Sequence, residues 1–310
     1  MTAAVIRING MALFPWCVIG LYKRAGKAAT LLPSPQKILY KPDMNINAPK
    51  GLVDPAGASR RIRLATYPPS PSLAAFVDYF WVVEWDMRDR PPEVQRVLPY
   101  PNAHLVFDAG RSAIHGVVRG AFERQVEGAG KVLGVRFKPG GLRPFIDHPL
   151  SRIVDTTMPL DALLKCDAAE AESRVLSQNS DAGMIAVAGE MLVSAAPVPD
   201  PRALLAAQAV AAAAADNGPV SVGALCDAME LDERFLQRLF SNYVGVSPKW
   251  VIQRFRLQEA VWRLSHGGAV DLAALAGALG FFDQAHFTRN FTKLVGSSPL
   301  DYWKSQRAAK

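Results

Sequence analysis

The spacing of hydrophobic and polar positions divides the chain into three parts, two of which follow a regular pattern. Between about residues 60 and 165, short runs of aromatic and β-branched residues alternate with turn residues, which predicts β-strands. Residues 167–195 and the chain from 203 onward carry apolar residues three and four positions apart, which predicts helices. Residues 1–58 follow neither spacing. The pattern therefore predicts a β-rich part followed by a helical part.

The β-rich part contains several segments of strand-like composition, separated by turns. The strand segments are residues 76–85, 96–99, 104–107, 113–119 and 131–138, with turns at 108–110 and 139–141. Short strands at regular spacing indicate a small barrel or sandwich. Helices are predicted at 169–176 and 184–192, and the prolines of residues 194–201 stiffen the connection that follows.

The helical part contains the same pattern twice, about fifty residues apart. Leu225 corresponds to Leu275 at an offset of 50, whereas Phe240 corresponds to Phe291 at an offset of 51, because one residue is inserted between them. The Gly-x-Ser-Pro segments at 245–248 and 296–299 share the second offset. Two copies are too few for a solenoid, so we interpret them as a duplicated supersecondary unit.

Each copy has the pattern of a helix, a sharp turn and a second helix. Gly280 can adopt the positive φ that a tight turn between helices needs. Asp232 and Asp283 then follow at the N-cap position of the second helices, where a carboxylate accepts free backbone N–H groups. A long helix from 248 to 264 is predicted to join the two units, and it carries a broad apolar surface. That surface is made by Trp250, Val251, Phe255, Leu257, Val261, Trp262 and Leu264.

The second helix of each copy has an apolar and a polar face. Phe287 and Phe291 are expected in the core, as are Leu236 and Leu239 of the first copy. Arg, Gln and Thr side chains can read base edges in a DNA major groove. The alternative is that the polar stripes are solvated helix faces, but two matched copies favour DNA reading. The candidate DNA-binding residues are Arg234, Gln237, Arg238, Gln284, Ala285, His286, Thr288, Arg289 and Lys293.

Residues 203–310 resemble the DNA-binding domain of the AraC/XylS transcription regulators. The family signature Gly-Phe-x-Asp-x-x-x-Phe-x-Arg-x-Phe-x-Lys, followed by Gly-x-x-Pro, is matched in the second copy. The matching residues are Gly280, Phe281, Asp283, Phe287, Arg289, Phe291, Lys293, Gly296 and Pro299. The chain departs from the family at Ala285 and His286, often Ser and Tyr, at Trp303, often Arg, and at Glu230, where a turn glycine is common. The resemblance implies two helix-turn-helix units that enter successive major grooves of double-stranded DNA.

The middle region is similar to an uncharacterised N-terminal domain that is frequently fused to AraC-type regulators. The segments that carry this similarity are residues 67–69, 98–102 and 134–141. The similarity implies an architecture, with no assigned chemistry. We therefore predict an α+β fold with two domains. Its parts are a basic tail at 1–58, a β-rich sensing or dimerisation domain with C-terminal helices at 59–195, a proline-rich linker at 196–202 and the all-α DNA-binding domain at 203–310.

Catalytic and metal-binding alternatives in the middle region have weak support. His104 and His115 with Asp108 are candidate metal ligands, but the cupin-type His-x-His with a following Glu is missing. Four arginines are candidate clamps for an anionic ligand, or else solvated strand positions: Arg96, Arg119, Arg124 and Arg136. No catalytic triad is assembled by the sequence. We predict no enzyme activity, no metal and no cofactor.

Charge and cysteine content constrain the function only in part. The net charge is +7, with a pI near 9.4, yet residues 1–60 alone hold eight basic and two acidic side chains. The bulk charge is therefore no argument for DNA binding by residues 203–310. Cys17, Cys166 and Cys226 lie far apart in the sequence, as is typical of a protein in a reducing cytoplasm. Each is expected to be a small buried apolar residue. No run reaches the 18 or so apolar residues that a membrane helix needs.

Residues 1–58 form a separate, basic segment. They are predicted to be a disordered tail or the product of a wrongly assigned start, with Met44 as another candidate start. A secretory signal is the alternative, based on Arg7 and the apolar run at 11–22, but a convincing cleavage site is missing.

The sequence as a whole predicts a cytoplasmic, sequence-specific transcription regulator controlled by its N-terminal domain. Its expected partners are double-stranded DNA, a second copy of the chain and a small-molecule effector of unknown identity, with no membrane. The alternative is a small-molecule-binding or catalytic β-barrel whose helical domain no longer binds DNA.

Overall fold

The computed structural model describes residues 62–89, 91–97, 100–120, 122–215, 218–266 and 270–308. Our predictions for the tail at 1–58 lie outside these residues. The described chain begins with eight strands and continues with helices. The strands are β1 (Ile62–Tyr67), β2 (Val77–Met87), β3 (Glu93–Val97), β4 (His104–Phe107), β5 (Ala113–His115), β6 (Phe122–Val126), β7 (Gly128–Phe137) and β8 (Thr157–Met158).

Six of these strands form one antiparallel sheet in the order β1-β2-β7-β4-β5-β8, and β3 pairs with β6 as a separate ribbon. The β-rich prediction is confirmed. Within the described residues the six-stranded sheet has β1 and β8 as its edges and does not close, so barrel or sandwich describes it loosely. Strands β1, β6 and β8 were missed by the sequence pattern: β1 and β6 bury almost no apolar side chain and so lack a clear apolar alternation, and β8 has only two residues.

The longest strand pair, β2 with β7, depends on a glycine opposite a tryptophan. Trp81 and Gly134 are direct partners in this pair. A Cβ atom built on Gly134 would lie 1.9 Å from Cε2 of Trp81, so the indole ring lies across the backbone of β7. The indole Nε1 donates a hydrogen bond to Nδ1 of His104 on β4, at 3.2 Å. One side chain therefore ties three neighbouring strands together.

Helices that follow the sheet complete the first hydrophobic core. They are α1 (Asp161–Leu164), α2 (Ala168–Leu176) and α3 (Asp181–Ala195), preceded by short 3-10 helices at Arg143–Phe145 and Leu150–Ile153. The core joins fully buried Phe80, Phe107 and Phe137 of the sheet to Ala188 and Leu192 of α3. The predicted helices at 169–176 and 184–192 are therefore confirmed, with slightly wider bounds.

The proline-rich connection is anchored by Asp200. Helix α3 ends at Ala195, and the next helix, α4 (Pro201–Ala214), begins directly after Asp200. One carboxylate oxygen of Asp200 accepts the backbone N–H of Arg202, and the other accepts the Tyr243 hydroxyl at 2.5 Å. This arrangement agrees with a short, fixed linker, while the boundaries at 196 and 203 stay predictions.

The remaining helices are α5 (Val222–Met229), α6 (Glu233–Leu239), α7 (Pro248–His266), α8 (Leu272–Ala278), α9 (Gln284–Val295) and α10 (Pro299–Ala308), with a π-helical turn at Phe240–Val244 after α6. They form two cores that share α7. Val251 and Ile252 lie in the first core, and Leu257 and Leu264 lie in the second. The long joining helix is thus confirmed, but the prediction that Trp262 belongs to its apolar surface is wrong. Trp262 is 62% exposed and stacks on His266, with ring centroids 5.2 Å apart.

Two buried arginines on α7 were missed by the sequence analysis. Arg256 donates hydrogen bonds to the carbonyl groups of Ala213 and Ala215, at the end of α4, and forms an ion pair with Glu259. These bonds satisfy carbonyl groups that a helix end leaves free. Arg254 is 3% exposed and points the other way, toward the β-rich part.

The β-rich part and the helical part touch along α7 and the π-helical turn that follows α6. Nη2 of Arg254 donates to the carbonyl oxygens of Arg119 and Gly120, at 3.1 and 3.2 Å. The guanidinium also lies over the ring of Trp250, at 4.9 Å. Three further contacts extend this surface: Tyr100 with Phe255, the hydroxyl groups of Ser241 and Ser151, and the packing of Val117 in the first helical core.

Candidate nucleic-acid interface

The turns of the two units share one backbone geometry. In the first unit the N–H of Leu231 donates to the carbonyl of Cys226, and in the second the N–H of Phe281 donates to the carbonyl of Ala276, both at 3.0 Å. The residue before each donor has a positive φ, 73° for Gly280 and 54° for Glu230. The predicted role of Gly280 is confirmed. Glu230 adopts the same left-handed conformation although it carries a side chain, which costs about 1–2 kcal/mol.

Aspartate N-caps begin both of the second helices. Oδ1 of Asp232 accepts the N–H of Phe235 at 3.1 Å, and Oδ1 of Asp283 accepts the N–H of His286 at 2.6 Å. Both predicted caps are confirmed. A carboxylate at this position satisfies a free N–H group and interacts favourably with the helix dipole. The start of each helix is therefore fixed, and so is the direction of its first side chains.

Helix α6 places its predicted polar residues on the exposed side. Leu236 and Leu239 are buried, whereas Arg234, Gln237 and Arg238 are exposed. The Gln237 amide donates to Oε1 of Glu233 at 2.9 Å, so it is held along the helix surface. The π-helical turn that follows α6 was not predicted, and its C-cap Gly245 has a φ of 95°.

Helix α9 shows the same division more clearly. Phe287, Phe291 and Leu294 are buried, and the ring centroids of the two phenylalanines are 5.7 Å apart. The exposed candidates are Gln284, Ala285, Arg289 and Lys293, while His286 and Thr288 are half-buried at the edge of the face.

His286 is the candidate with the least freedom to read a base. Its ring packs edge-on against Phe281, with centroids 5.6 Å apart. Its Nδ1 atom is buried and has no hydrogen-bond partner among the described residues. Part of the imidazole therefore supports the turn, and its role toward DNA stays a prediction.

The cations on the two exposed faces are free of carboxylate partners. Within the described residues, no ion pair holds Arg234, Arg238, Arg289 or Lys293. Unpaired, solvated cations at the surface are available to phosphate groups and to base edges. This feature separates these cations from Arg119, Arg124 and Arg136 of the β-rich part, which have carboxylate partners.

The arginines considered as an anion clamp are mostly engaged within the protein. Arg119 forms an ion pair with Asp155, and Arg124 forms one with Asp108, at 2.6 and 2.5 Å. Arg136 lies between the rings of Tyr79 and Tyr100 at 5.1 and 4.6 Å, and donates to the Asn102 side chain. Because their charges are partnered, these side chains support the sheet. The side chain of Arg96 lies outside the described residues.

The candidate metal ligands are close together without forming a metal site. His104 and His115 are direct partners across β4 and β5. Burial lowers the pKa of His104 to about 3, and the nearby Arg136 and His115 add to this effect. The carboxylate of Asp108 forms an ion pair with Arg124. Among the described residues, no three His, Cys, Asp or Glu side chains are grouped so that they could hold a metal ion.

The two described cysteines have no feature of a catalytic or redox site. Cys166 and Cys226 are free and half-buried, and burial raises the pKa of each thiol, so neither has the features of a reactive thiolate. Cys17 lies outside the described residues. Of the helices that the structure describes, none has the length and apolarity to cross a membrane.

Comparison with known proteins assigns a domain type to each part. Residues 65–159 match the family model of a domain of unknown function, DUF6597, and residues 225–305 match that of a helix-turn-helix domain. The raffinose operon transcriptional regulatory protein RafR of Pediococcus pentosaceus is 31% identical over 81 residues, 26% of this chain and 29% of RafR. The HTH-type transcriptional activator RhaS of Pectobacterium carotovorum is 34% identical over 80 residues, 26% of this chain and 28% of RhaS. The match thus spans less than a third of these relatives.

Solved structures align over a larger share of the chain, but loosely. ToxT of Vibrio cholerae covers 79% of this chain and 98% of its own, at 11% identity and a TM-score of 0.34. An AraC-type regulator from Chromobacterium violaceum covers 34% of this chain and 92% of its own, at 22% identity and a TM-score of 0.29. These scores are too low to support an argument. The two family matches carry the assignment: this chain contains a domain of unknown function at residues 65–159, followed by a helix-turn-helix domain at residues 225–305.

Proposed function

We propose that the protein is a sequence-specific DNA-binding transcription regulator that inserts α6 and α9 into successive major grooves. The observation that carries the proposal is the pair of matched, N-capped helices, each with unpaired cations on its exposed face. Helix α7 contributes to both cores and therefore fixes the two units relative to each other. Successive major grooves on one side of DNA lie about 34 Å apart, and one chain would address both.

Residues on the two faces have different tasks in this proposal. Arg289 and Gln284 approach base edges from α9, and Arg234, Gln237 and Arg238 do so from α6. Lys293, in the last turn of α9, contacts a phosphate group and fixes the position of the helix on the duplex. Ala285 faces the groove with a methyl group, which packs on apolar base edges, while Thr288 and His286 contribute from the rim.

The β-rich part acts as the controlling domain and has no catalytic task. Support comes from the contacts of Arg254 and Ser241, which join α7 and the π-helical turn after α6 to this part. A small-molecule effector changes DNA affinity if it binds the docked and undocked arrangements with different affinities. We further propose that the protein is cytoplasmic and acts as a homodimer, whose avidity raises affinity for paired sites.

A selection of DNA sites from a random pool, followed by gel shifts at several salt concentrations, tests the proposal. The full chain should enrich one sequence. Its affinity for that sequence should fall steeply with salt, because each neutralised phosphate contributes about −0.9 to the slope of log affinity against log salt concentration. Arg289→Ala should lower the affinity for the selected site far more than the affinity for random DNA. Enrichment of no sequence would contradict the proposal and favour the alternative, a β-rich ligand-binding protein whose helical domain no longer binds DNA.

The contribution of the β-rich part and of dimerisation to DNA binding is tested by comparing the full chain with the fragment 203–310. The fragment 203–310 should bind the selected site more weakly than the full chain, and the full chain should sediment as a dimer. A strictly monomeric full chain with an affinity no better than that of the fragment would contradict this part of the proposal.

A further inference from the structure

Phe282 is the most exposed large apolar side chain among the described residues, at 92%. It lies immediately before the Asp283 cap, at the start of α9. Single exposed apolar side chains are common on protein surfaces, so the exposure of Phe282 alone indicates no function. Its position at the entrance of a proposed DNA-reading helix is what makes it a candidate for a contact with DNA.

The residue is an insertion that distinguishes the second unit from the first. Up to the turn, equivalent hydrogen bonds run at an offset of 50, from Leu231 to Cys226 and from Phe281 to Ala276. From the caps onward, Asp232 and Asp283, the offset is 51. Phe282 is the extra residue between these two fixed points, and nothing in the first unit corresponds to it.

The neighbours of Phe282 hold its backbone and direct the ring outward. Phe281 is only 7% exposed and packs against Phe287, with ring centroids 5.2 Å apart. On the other side, Asp283 accepts the N–H of His286. Because the residue before is anchored in the core and the residue after is anchored as a cap, little freedom remains at position 282. The Cα–Cβ bond of Phe282 is therefore directed to solvent, and the exposed ring can rotate into contact with a ligand.

We propose that Phe282 is a specificity-determining residue of the second unit and packs its ring on the methyl group of a thymine in the major groove. This inference rests on the proposed function. The N-terminal residues of a reading helix are those that approach base edges. Thymine is the one base that presents a methyl group in the major groove, and phenylalanine is among the side chains that contact it. The first unit lacks this contact, so the two units read different half-sites.

The test compares thymine with deoxyuridine, which lacks the methyl group and keeps the base pair. The full chain is titrated with the duplex recovered by selection and with duplexes in which single thymines are replaced by deoxyuridine. At one or two adjacent positions in the half-site of α9, the replacement should weaken wild-type binding about fourfold, the effect of one buried methyl group. At the positions where wild type shows this effect because of Phe282, Phe282→Ala should bind the thymine and deoxyuridine duplexes equally, and Phe282→Leu should keep part of the difference. A thymine that contacts Ala285 should keep its effect in both variants.

Trp262→Ala is the matched control, because Trp262 is also a largely exposed aromatic residue but lies on α7. This variant should retain the full wild-type difference between thymine and deoxyuridine. Thermal melting should be unchanged in Phe282→Ala, since the ring is outside the core. If wild type binds its site and Phe282→Ala still discriminates the two bases as wild type does, the inference is wrong while the proposed function stands. If wild type selects no site, both are wrong.

Discussion

At the scale of single residues, Arg289 and Phe291 show how two neighbours on one helix serve different purposes. Arg289 is exposed and unpaired, and Phe291 is fully buried between Phe287 and Tyr302. Arg289→Ala should weaken specific DNA binding by about 1–3 kcal/mol with nearly unchanged folding. Phe291→Ala should lower the free energy of unfolding by about 3–5 kcal/mol. Gel shifts and thermal melting measure the two effects, and equal loss of thermal stability in both variants would contradict the assignment of faces.

His104 makes stability depend on pH in one direction. Its Nδ1 accepts a hydrogen bond from the indole N–H of Trp81. Protonation of Nδ1 would place two N–H donors against each other and break this hydrogen bond. The pKa falls from 6.5 in the unfolded chain to about 3 in the folded protein. The unfolded state therefore binds the proton first, and stability is lost as the pH falls from about 6.5 toward 3.

The slope attributable to His104 reaches about 1.4 kcal/mol per pH unit in that window. His104→Gln should flatten the pH dependence of the free energy of unfolding between pH 6 and 4. Part of the slope should persist, since burial lowers the pKa of His115 as well. Urea unfolding at several pH values checks this, and an unchanged slope in the variant would contradict it.

At the scale of elements, the turn of the first unit stores strain that the second unit avoids. Glu230→Gly should raise the free energy of unfolding by about 0.5–1 kcal/mol, because glycine adopts a φ of 54° without strain. Gly280→Ala is the reverse change and should destabilise the second unit, where a Cβ would also lie 2.8 Å from Cβ of Val220. Denaturant unfolding of both variants measures these effects, and destabilisation by Glu230→Gly would show that its side chain makes a contact that outweighs the strain.

Helical elements were more accessible to sequence reasoning than strands. The caps at Asp232 and Asp283, the turn at Gly280 and the helix α7 are local features, and short-range patterns predict them. Strands β1 and β6 were missed because few of their side chains are buried, so they lack the apolar alternation by which a strand is recognised, and pairing with other strands holds them in place. The exposure of Trp262 was missed for a related reason: an apolar residue on a helix is buried only if another element reaches it.

At the scale of the whole molecule, Arg254 connects the two parts of the chain, and no local pattern predicts this. Burial lowers the pKa of Arg254 to about 10, so the side chain stays charged at neutral pH. Its hydrogen bonds go to two backbone carbonyl groups, those of Arg119 and Gly120. A buried cation held by carbonyl groups depends on both parts being docked.

Arg254→Ala should lower the free energy of unfolding of the full chain by about 1–3 kcal/mol, because two carbonyl groups lose a charged donor. In the fragment 203–310 the carbonyl partners are missing, so the same substitution should cost much less. Arg263→Ala, whose ion pair with Glu259 is internal to α7, serves as the control and should have similar effects in both chains. Equal losses for Arg254→Ala in the two chains would show that docking does not depend on this residue.

The central claim is that one chain addresses two successive major grooves with α6 and α9. Hydroxyl-radical footprinting of the full chain on its selected site tests this most directly. For each bound chain, wild type should protect two segments about 10 base pairs apart on one side of the duplex. Arg238→Ala should weaken protection of one segment and Arg289→Ala that of the other. A single protected segment, or two segments that respond identically to both substitutions, would contradict the claim.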